Sequence, residues 1–209
     1  MPQKPANIDF RNNWFRAIAF VVGFCVMTVE LISGRLIAPY LGNSLYTWTA
    51  VLTAVLTAIA LGSYVGGKLS AGKNIWSNVW TWLVISGGLS LLTMFPTIAM
   101  LGPILQMSDL PISLLTLLFS FFIFFPQAFT LAIITPLLVN ADVSRVEESG
   151  SRFGSLAAWN AGGSILGTYA TGFIFISFLN TTHIVLTIVA VLFIVASIDY
   201  LYEPKTSIV

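Results

Sequence analysis

Along most of this chain apolar residues neither alternate with polar ones nor recur at helical spacing; they run on. Nearly unbroken apolar stretches extend from Trp14 to Leu36, Tyr46 to Val65, Trp76 to Met100, Ile112 to Val139, Phe153 to Phe178 and His183 to Tyr202. Each reaches the roughly 20 residues that an α-helix needs to cross the hydrocarbon core of a bilayer. The pattern predicts an all-α polytopic membrane protein with six transmembrane helices: residues 1–13 form an N-terminal segment, 14–202 the membrane domain and 203–209 a tail. The connections are too short for a folded soluble domain, so no water-soluble catalytic module is expected. The first apolar run is too long for a signal peptide and continues into Arg35 and Pro39, which predicts a retained first helix.

Composition strengthens this picture. The chain of 209 residues is 57% hydrophobic and 8% charged, with a mean hydropathy of +0.92, whereas soluble domains are about a quarter charged. The few charges sort by side. If six helices alternate, Lys4, Arg11, Arg16, Lys68, Lys73, Arg145, Arg152 and Lys205 fall on one face of the membrane and Arg35 alone on the other. The positive-inside rule then places both termini in the cytoplasm of a protein in the cell membrane. Trp14, Trp76, Trp80 and Trp82 fall toward the cytoplasmic interface, and Tyr40, Tyr46 and Trp48 toward the outer one, where amphipathic rings settle. A net charge of +1 with no basic patch gives no reason to expect nucleic acid. Cys25 is the only cysteine, which excludes intrachain disulfides and CxxC metal sites; it reads as a small apolar residue of the first helix. No metal site or cofactor is expected.

Two pairs of segments suggest an internal repeat. VELISGRLIAP (Val29 to Pro39) set over PQAFTLAIITP (Pro126 to Pro136) matches Pro39 with Pro136 and Glu30 with Gln127. AIALGSYVGG (Ala58 to Gly67) set over WNAGGSILGT (Trp159 to Thr168) matches Gly62 with Gly163 and Gly66 with Gly167. Three helices per unit reverse the direction of entry, which predicts a 3+3 inverted repeat, an arrangement common among transporters. The Gly62/Gly66 and Gly163/Gly167 pairs are small-xxx-small patterns that let helix backbones approach closely.

The polar residues inside these runs are the candidates for function. TVELISGRLIAPYLG (Thr28 to Gly42) carries Glu30 and Arg35 within the first span. Glu30 falls about 21 Å along an ideal helix from Arg16, and a charge at that depth faces a partner or a wet cavity. A direct Glu30/Arg35 bridge is disfavoured, because five residues turn a helix by about 140°. Arg35 is near enough to the outer interface to snorkel. Asn160 and Gln127 are the expected cross-helix partners of Glu30, so Glu30, Arg35, Gln127 and Asn160 make up a candidate intramembrane polar site. It reads first as a polar clamp for helix packing, second as a binding or proton-coupling site, and last as a protonated glutamate with no dedicated role. Thr49, Thr53 and Thr57 form a stripe at four-residue spacing that is expected to bond back to its own helix. His183 lacks metal-ligand companions and reads as an interfacial residue. Pro126 is expected to kink the fourth helix, and NADVSRVEESGSR, the longest cytoplasmic connection, offers a place for a soluble partner.

Three stretches together resemble the membrane region of spermidine synthase-like transmembrane proteins, the fused major-facilitator-like/spermidine synthase family. They are ELISGRLIAPYLG with Glu30, Arg35, Pro39 and Gly42, LGSYVGGKLSA, and RFGSLAAWNAGGSILGTYATGF with Arg152, Gly154, Leu156, Asn160, Gly163 and Gly167. In that family such a region is commonly joined to a soluble aminopropyltransferase-like domain. This chain has no match to its glycine-rich cofactor loop or its amine-holding acidic residues. The resemblance therefore implies a membrane part that stands alone or docks a separately encoded enzyme. LGSYVGGKLSAGK also has the glycines and basic residue of the loop after the second helix of major-facilitator transporters, without their Asp-Arg pair. As half of such a transporter, six helices would need a homodimer to complete a path.

Two functions follow as expectations: a non-catalytic membrane subunit or anchor acting with a partner protein, and, as the alternative, a transporter of a polyamine or other organic cation using Glu30. An enzyme is not expected, because no nucleophile-base pair, metal constellation or cofactor loop is present in the sequence.

Overall fold

Lipid offers a backbone no hydrogen-bond partners, so a spanning chain must satisfy every peptide group within itself; helices are the outcome here. The computed structural model describes residues 6–72, 78–107, 110–142 and 149–202. They form α1 (Ala6–Leu41), α2 (Leu45–Leu69), α3 (Val79–Met107), α4 (Ile112–Asp142), α5 (Ser149–Tyr169) and α6 (Thr181–Tyr202), and no strand occurs among the described residues. α5 passes directly into a π-helical stretch (Ala170–Phe175) and a last α-turn (Ile176–Phe178). Five of the helical spans are long and apolar enough to cross a membrane. α3 makes a sixth when its two segments, Val79–Phe95 and Ala99–Met107, bent 44° apart, are taken together. The chain is an all-helical, multi-pass membrane protein.

The helices outrun the apolar stretches that specify them. α1 has 36 residues, about 54 Å at 1.5 Å per residue, against a hydrocarbon core of about 30 Å. α1 ends where Gly42 takes a left-handed φ of 77° and its N–H bonds the Ala38 carbonyl at 3.0 Å, a helix stop that glycine meets without steric cost. Ser44 then caps α2, its hydroxyl accepting from the Thr47 N–H at 3.3 Å, while the Thr47 hydroxyl donates back to the Gly42 carbonyl at 2.9 Å. Trp48 donates from its ring to Asn43 at 2.9 Å and lays its indole on Gly34. The kink expected at Pro126 does not interrupt α4, which runs through Pro126 and Pro136 as one helix. A 44° bend lies in α3, where the sequence carries Pro96.

The most extensive interfaces join helices that are not neighbours in sequence: α2 with α4, and α1 with α5. Both pairs are parallel. Along α1 and α5, Ala19 meets Asn160, Phe20 meets Gly163, Phe24 meets Gly167 and Thr28 meets Thr171. Along α2 and α4, Gly62 meets Phe129, Gly66 meets Ile133 and Ser70 meets Asn140. A Cβ at Gly62, Gly66, Gly163 or Gly167 would collide with the backbone of the opposite helix, so the four glycines assigned to packing from the sequence are contact points. α3 runs antiparallel to α6, with Gly87 against Phe193 and Trp80 edge-on to Tyr200 at 5.2 Å between centroids. Ile18, Cys25, Ile32, Leu83, Ile123, Leu131, Ile134 and Leu192 fill the centre with no exposed surface.

Candidate intramembrane polar site

The four residues of the candidate site occupy separate positions. Glu30 is half-buried on α1. Its backbone carbonyl accepts from the Ser33 hydroxyl, but its carboxylate has no hydrogen bond or ion pair among the described residues. Asn160, expected beside it, donates from Nδ2 to the Ala19 carbonyl at 3.1 Å. The cause is the parallel register of α1 and α5. Pairing Ala19 with Asn160 puts the asparagine three turns before Glu30, about 16 Å away along the axis. Gln127 belongs to another seam. Its side chain is 1% exposed and shares a face of α4 with Ser120 and Ile123, and Ile123 is met by the Thr93 hydroxyl from α3 at 3.1 Å.

Arg35 is exposed and held. One guanidinium nitrogen, Nη1, donates to the Ile176 carbonyl at 3.2 Å, just beyond the π-helical stretch. A six-residue π segment carries an inserted residue relative to an α-helix and shifts the carbonyls that follow it, and such segments often sit at functional positions. Arg35 and residues 176–181 line an open depression where α5 ends and α6 begins. Just inside it Thr171, with no exposed surface, donates to the Thr28 hydroxyl at 3.0 Å, and Thr28 donates onward to the Phe24 carbonyl at 2.8 Å. Ser164 adds a bond to the Gly23 carbonyl at 3.3 Å. Polar groups on α5 thus hold α1 at several heights, Asn160 among them.

The threonine stripe behaves as its spacing predicts: Thr53 donates to the Thr49 carbonyl at 2.7 Å and Thr57 to the Thr53 carbonyl at 2.6 Å. Cys25 is wholly buried in α1, and His183 is exposed at the start of α6. Trp76, Lys4, Lys73, Arg145, Lys205 and most of the connection between α4 and α5 lie outside the described residues.

At the opposite end of the bundle from Arg35, sequence reasoning missed two buried carboxylates. Asp199, 9% exposed on α6, accepts from the Trp14 indole at 2.9 Å and ties the last turns of the chain to the first. Asp142, 5% exposed at the end of α4, pairs with Arg152 of α5 at 3.3 Å. The signal was available: both acids stand at the ends of apolar runs, where a carboxylate can tuck under a neighbouring helix and still find a cation or indole N–H. Nearby, Asn140 donates to the Ser70 carbonyl at 2.7 Å. Arg152→Ala should destabilise the chain by about 2 kcal/mol, because removing one partner leaves the other charge largely buried. Thermal unfolding in mild detergent would show it, and an unchanged midpoint would reduce the pair to a surface contact.

No family model, curated protein or solved structure matches this chain.

Proposed function

We propose that this chain is a non-catalytic integral subunit of the cell membrane whose six helices anchor or position a partner protein, with both chain ends cytoplasmic. The observation that carries the proposal is Glu30. A carboxylate at bilayer depth costs about 2.5 kcal/mol or more when it lacks a partner or wet surroundings, and no described side chain pairs with it. A cationic or hydrogen-bonding group on a second polypeptide would complete it. Asn160, Ser164 and Thr171 are occupied in holding α5 and its π-helical continuation against α1, which fits a scaffold better than a reaction centre.

The orientation draws support from the charges. Arg11, Arg16, Lys68 and Arg152 gather at the end of the bundle where Trp14 meets Asp199 and Asp142 meets Arg152. Among the described Lys and Arg residues, Arg35 alone marks the other end. The two parallel glycine seams support a 3+3 inverted repeat, since exchanging α1 with α4 and α2 with α5 turns one seam into the other. That exchange pairs Phe20 with Phe129 and Phe24 with Ile133, aligning AFVVGF with AFTLAI. It is a different register along the first and fourth helices from the one that sets Glu30 over Gln127.

Because Glu30 lies within the first span, the partner that completes it must itself enter the membrane. An aminopropyltransferase-like enzyme is the soluble component to look for beside it, given the resemblance of ELISGRLIAPYLG and RFGSLAAWNAGGSILG to the membrane region of polyamine-synthase fusions. Affinity purification in gentle detergent followed by mass spectrometry is expected to recover a stoichiometric partner, and Glu30→Leu to release it. A chain that always purifies alone would end this reading.

A second reading, transport of a polyamine or other organic cation past Glu30, is favoured by the 44° bend in α3 and the π-helical stretch in α5, since interrupted helices recur along transport paths. Uptake into proteoliposomes separates the two. Transport requires flux above empty liposomes that falls at least about tenfold in Glu30→Gln, a loss of the order of 1.4 kcal/mol. Equal flux for both proteins would remove the carboxylate from any such mechanism.

A further inference from the structure

We propose that the seam between α3 and α4 is a hydration site inside the bundle, where Gln127, Ser86 and Ser120 hold water. It depends on neither functional reading above. Ser86, Ser90 and Thr93 recur at four and three residues and so share one face of α3; Ser120, Ile123, Gln127 and Thr130 do the same on α4. The bond from the Thr93 hydroxyl to the Ile123 carbonyl sets these faces against each other. The connection between the helices is short, so they run antiparallel. Stepping from Thr93 to Ser90 and Ser86 on α3 therefore advances from Ile123 toward Gln127 and Thr130 on α4.

Three hydroxyls on this seam are satisfied within the protein. Ser90 donates to the Ser86 carbonyl, Thr93 to the Leu89 and Ile123 carbonyls, and Thr130 to the Pro126 and Gln127 carbonyls. The other three side chains are not. Ser86 and Ser120 have no exposed surface and Gln127 is 1% exposed, yet both hydroxyls and both polar atoms of the amide lack partners among the described residues. A buried amide left in that state costs about 1–3 kcal/mol, which is why nearly all such groups are bonded to protein or to ordered water.

The chemistry of the seam selects the ligand. The amide offers donors and an acceptor, and a serine hydroxyl offers both, so the guest must donate and accept. The seam's own side chains are uncharged, so the guest is neutral as well. Water meets these terms and requires two to four polar partners, which Gln127 and Ser86 supply. Ser120 lies two turns from Gln127, toward the bend in α3.

Water-edited solid-state NMR of the full chain in bilayers, labelled with 15N in its glutamine side chains, tests the site. The sequence has three glutamines, Gln3, Gln106 and Gln127, and Gln106 is exposed, so it reports full hydration. Gln127→Met assigns the buried signal by its loss. Magnetisation from water is expected to reach the Gln127 amide, and Ser86→Ala to abolish that transfer while the other glutamine signals persist. A Gln127 amide that stays dark beside a bright Gln106 would overturn the proposal. A transfer unaffected by Ser86→Ala would overturn the site as drawn. A rise in the thermal midpoint of Gln127→Met would also count against it, since removing a dry, unbonded amide stabilises whereas removing a hydrated one does not.

Discussion

Gly163→Ala should cost this protein about 3 kcal/mol or more, the upper range for forcing an extra carbon into a packed interface. The added Cβ would overlap the Phe20 carbonyl of α1. Because the obstacle is backbone, no rotamer change relieves it, and α1 and α5 must separate along the seam that Asn160, Ser164 and Thr171 bridge. Gly162→Ala is the control. Its Cβ would meet only the edge of the Phe20 ring at 3.9 Å, an ordinary contact. Thermal unfolding in detergent should lower the midpoint of the first variant by about 6–12 °C on the scaling for chains of this size and leave the second near wild type. Equal behaviour of neighbouring glycines would mean that α1 and α5 do not touch as described.

The second large effect concerns α2 and α4. At Gly66 a Cβ would lie 2.6 Å from the Ile133 carbonyl oxygen, whereas at Gly67 it would meet nothing within 4 Å. Gly66→Ala is expected to destabilise by about 3 kcal/mol, and Gly67→Ala to stabilise by up to about 1 kcal/mol, because alanine restricts the unfolded backbone and favours helix. The opposite signs at adjacent positions make the pair a stringent test, readable as midpoint shifts in opposite directions. If both substitutions stabilised, helix propensity alone would account for them and the seam would be loose.

Six apolar runs, their order and the packing role of Gly62, Gly66, Gly163 and Gly167 could be read from the sequence because each rests on local composition or on a spacing fixed by helical geometry. Helix ends could not be placed closely: residues such as Lys68, Leu69 and Asn140 continue a helix beyond the apolar stretch once its backbone hydrogen bonds are formed. The polar site was legible only in part. That Glu30, Arg35, Gln127 and Asn160 were unusual followed from their setting, but which of them meet depends on the relative slide of helices. Asn160 reaches Ala19 because Gly163 and Gly167 fix the height of α5 against Phe20 and Phe24. No single-helix pattern carries that information. The prolines show the same limit: α4 continues as one helix through two of them, whereas α3 bends by 44°.

The pairing of α1 with α5 and of α2 with α4 bears on how the chain is made. Helices leave the translocation machinery in order, so the opening helix enters the bilayer long before the one whose glycines fit against it has been synthesised. Until then its Gly23 face is turned to acyl chains, and the second helix waits in the same way for the fourth. The first three helices consequently cannot mature as a pre-formed unit. Assembly is a late event, in which the newer half slots into the older one.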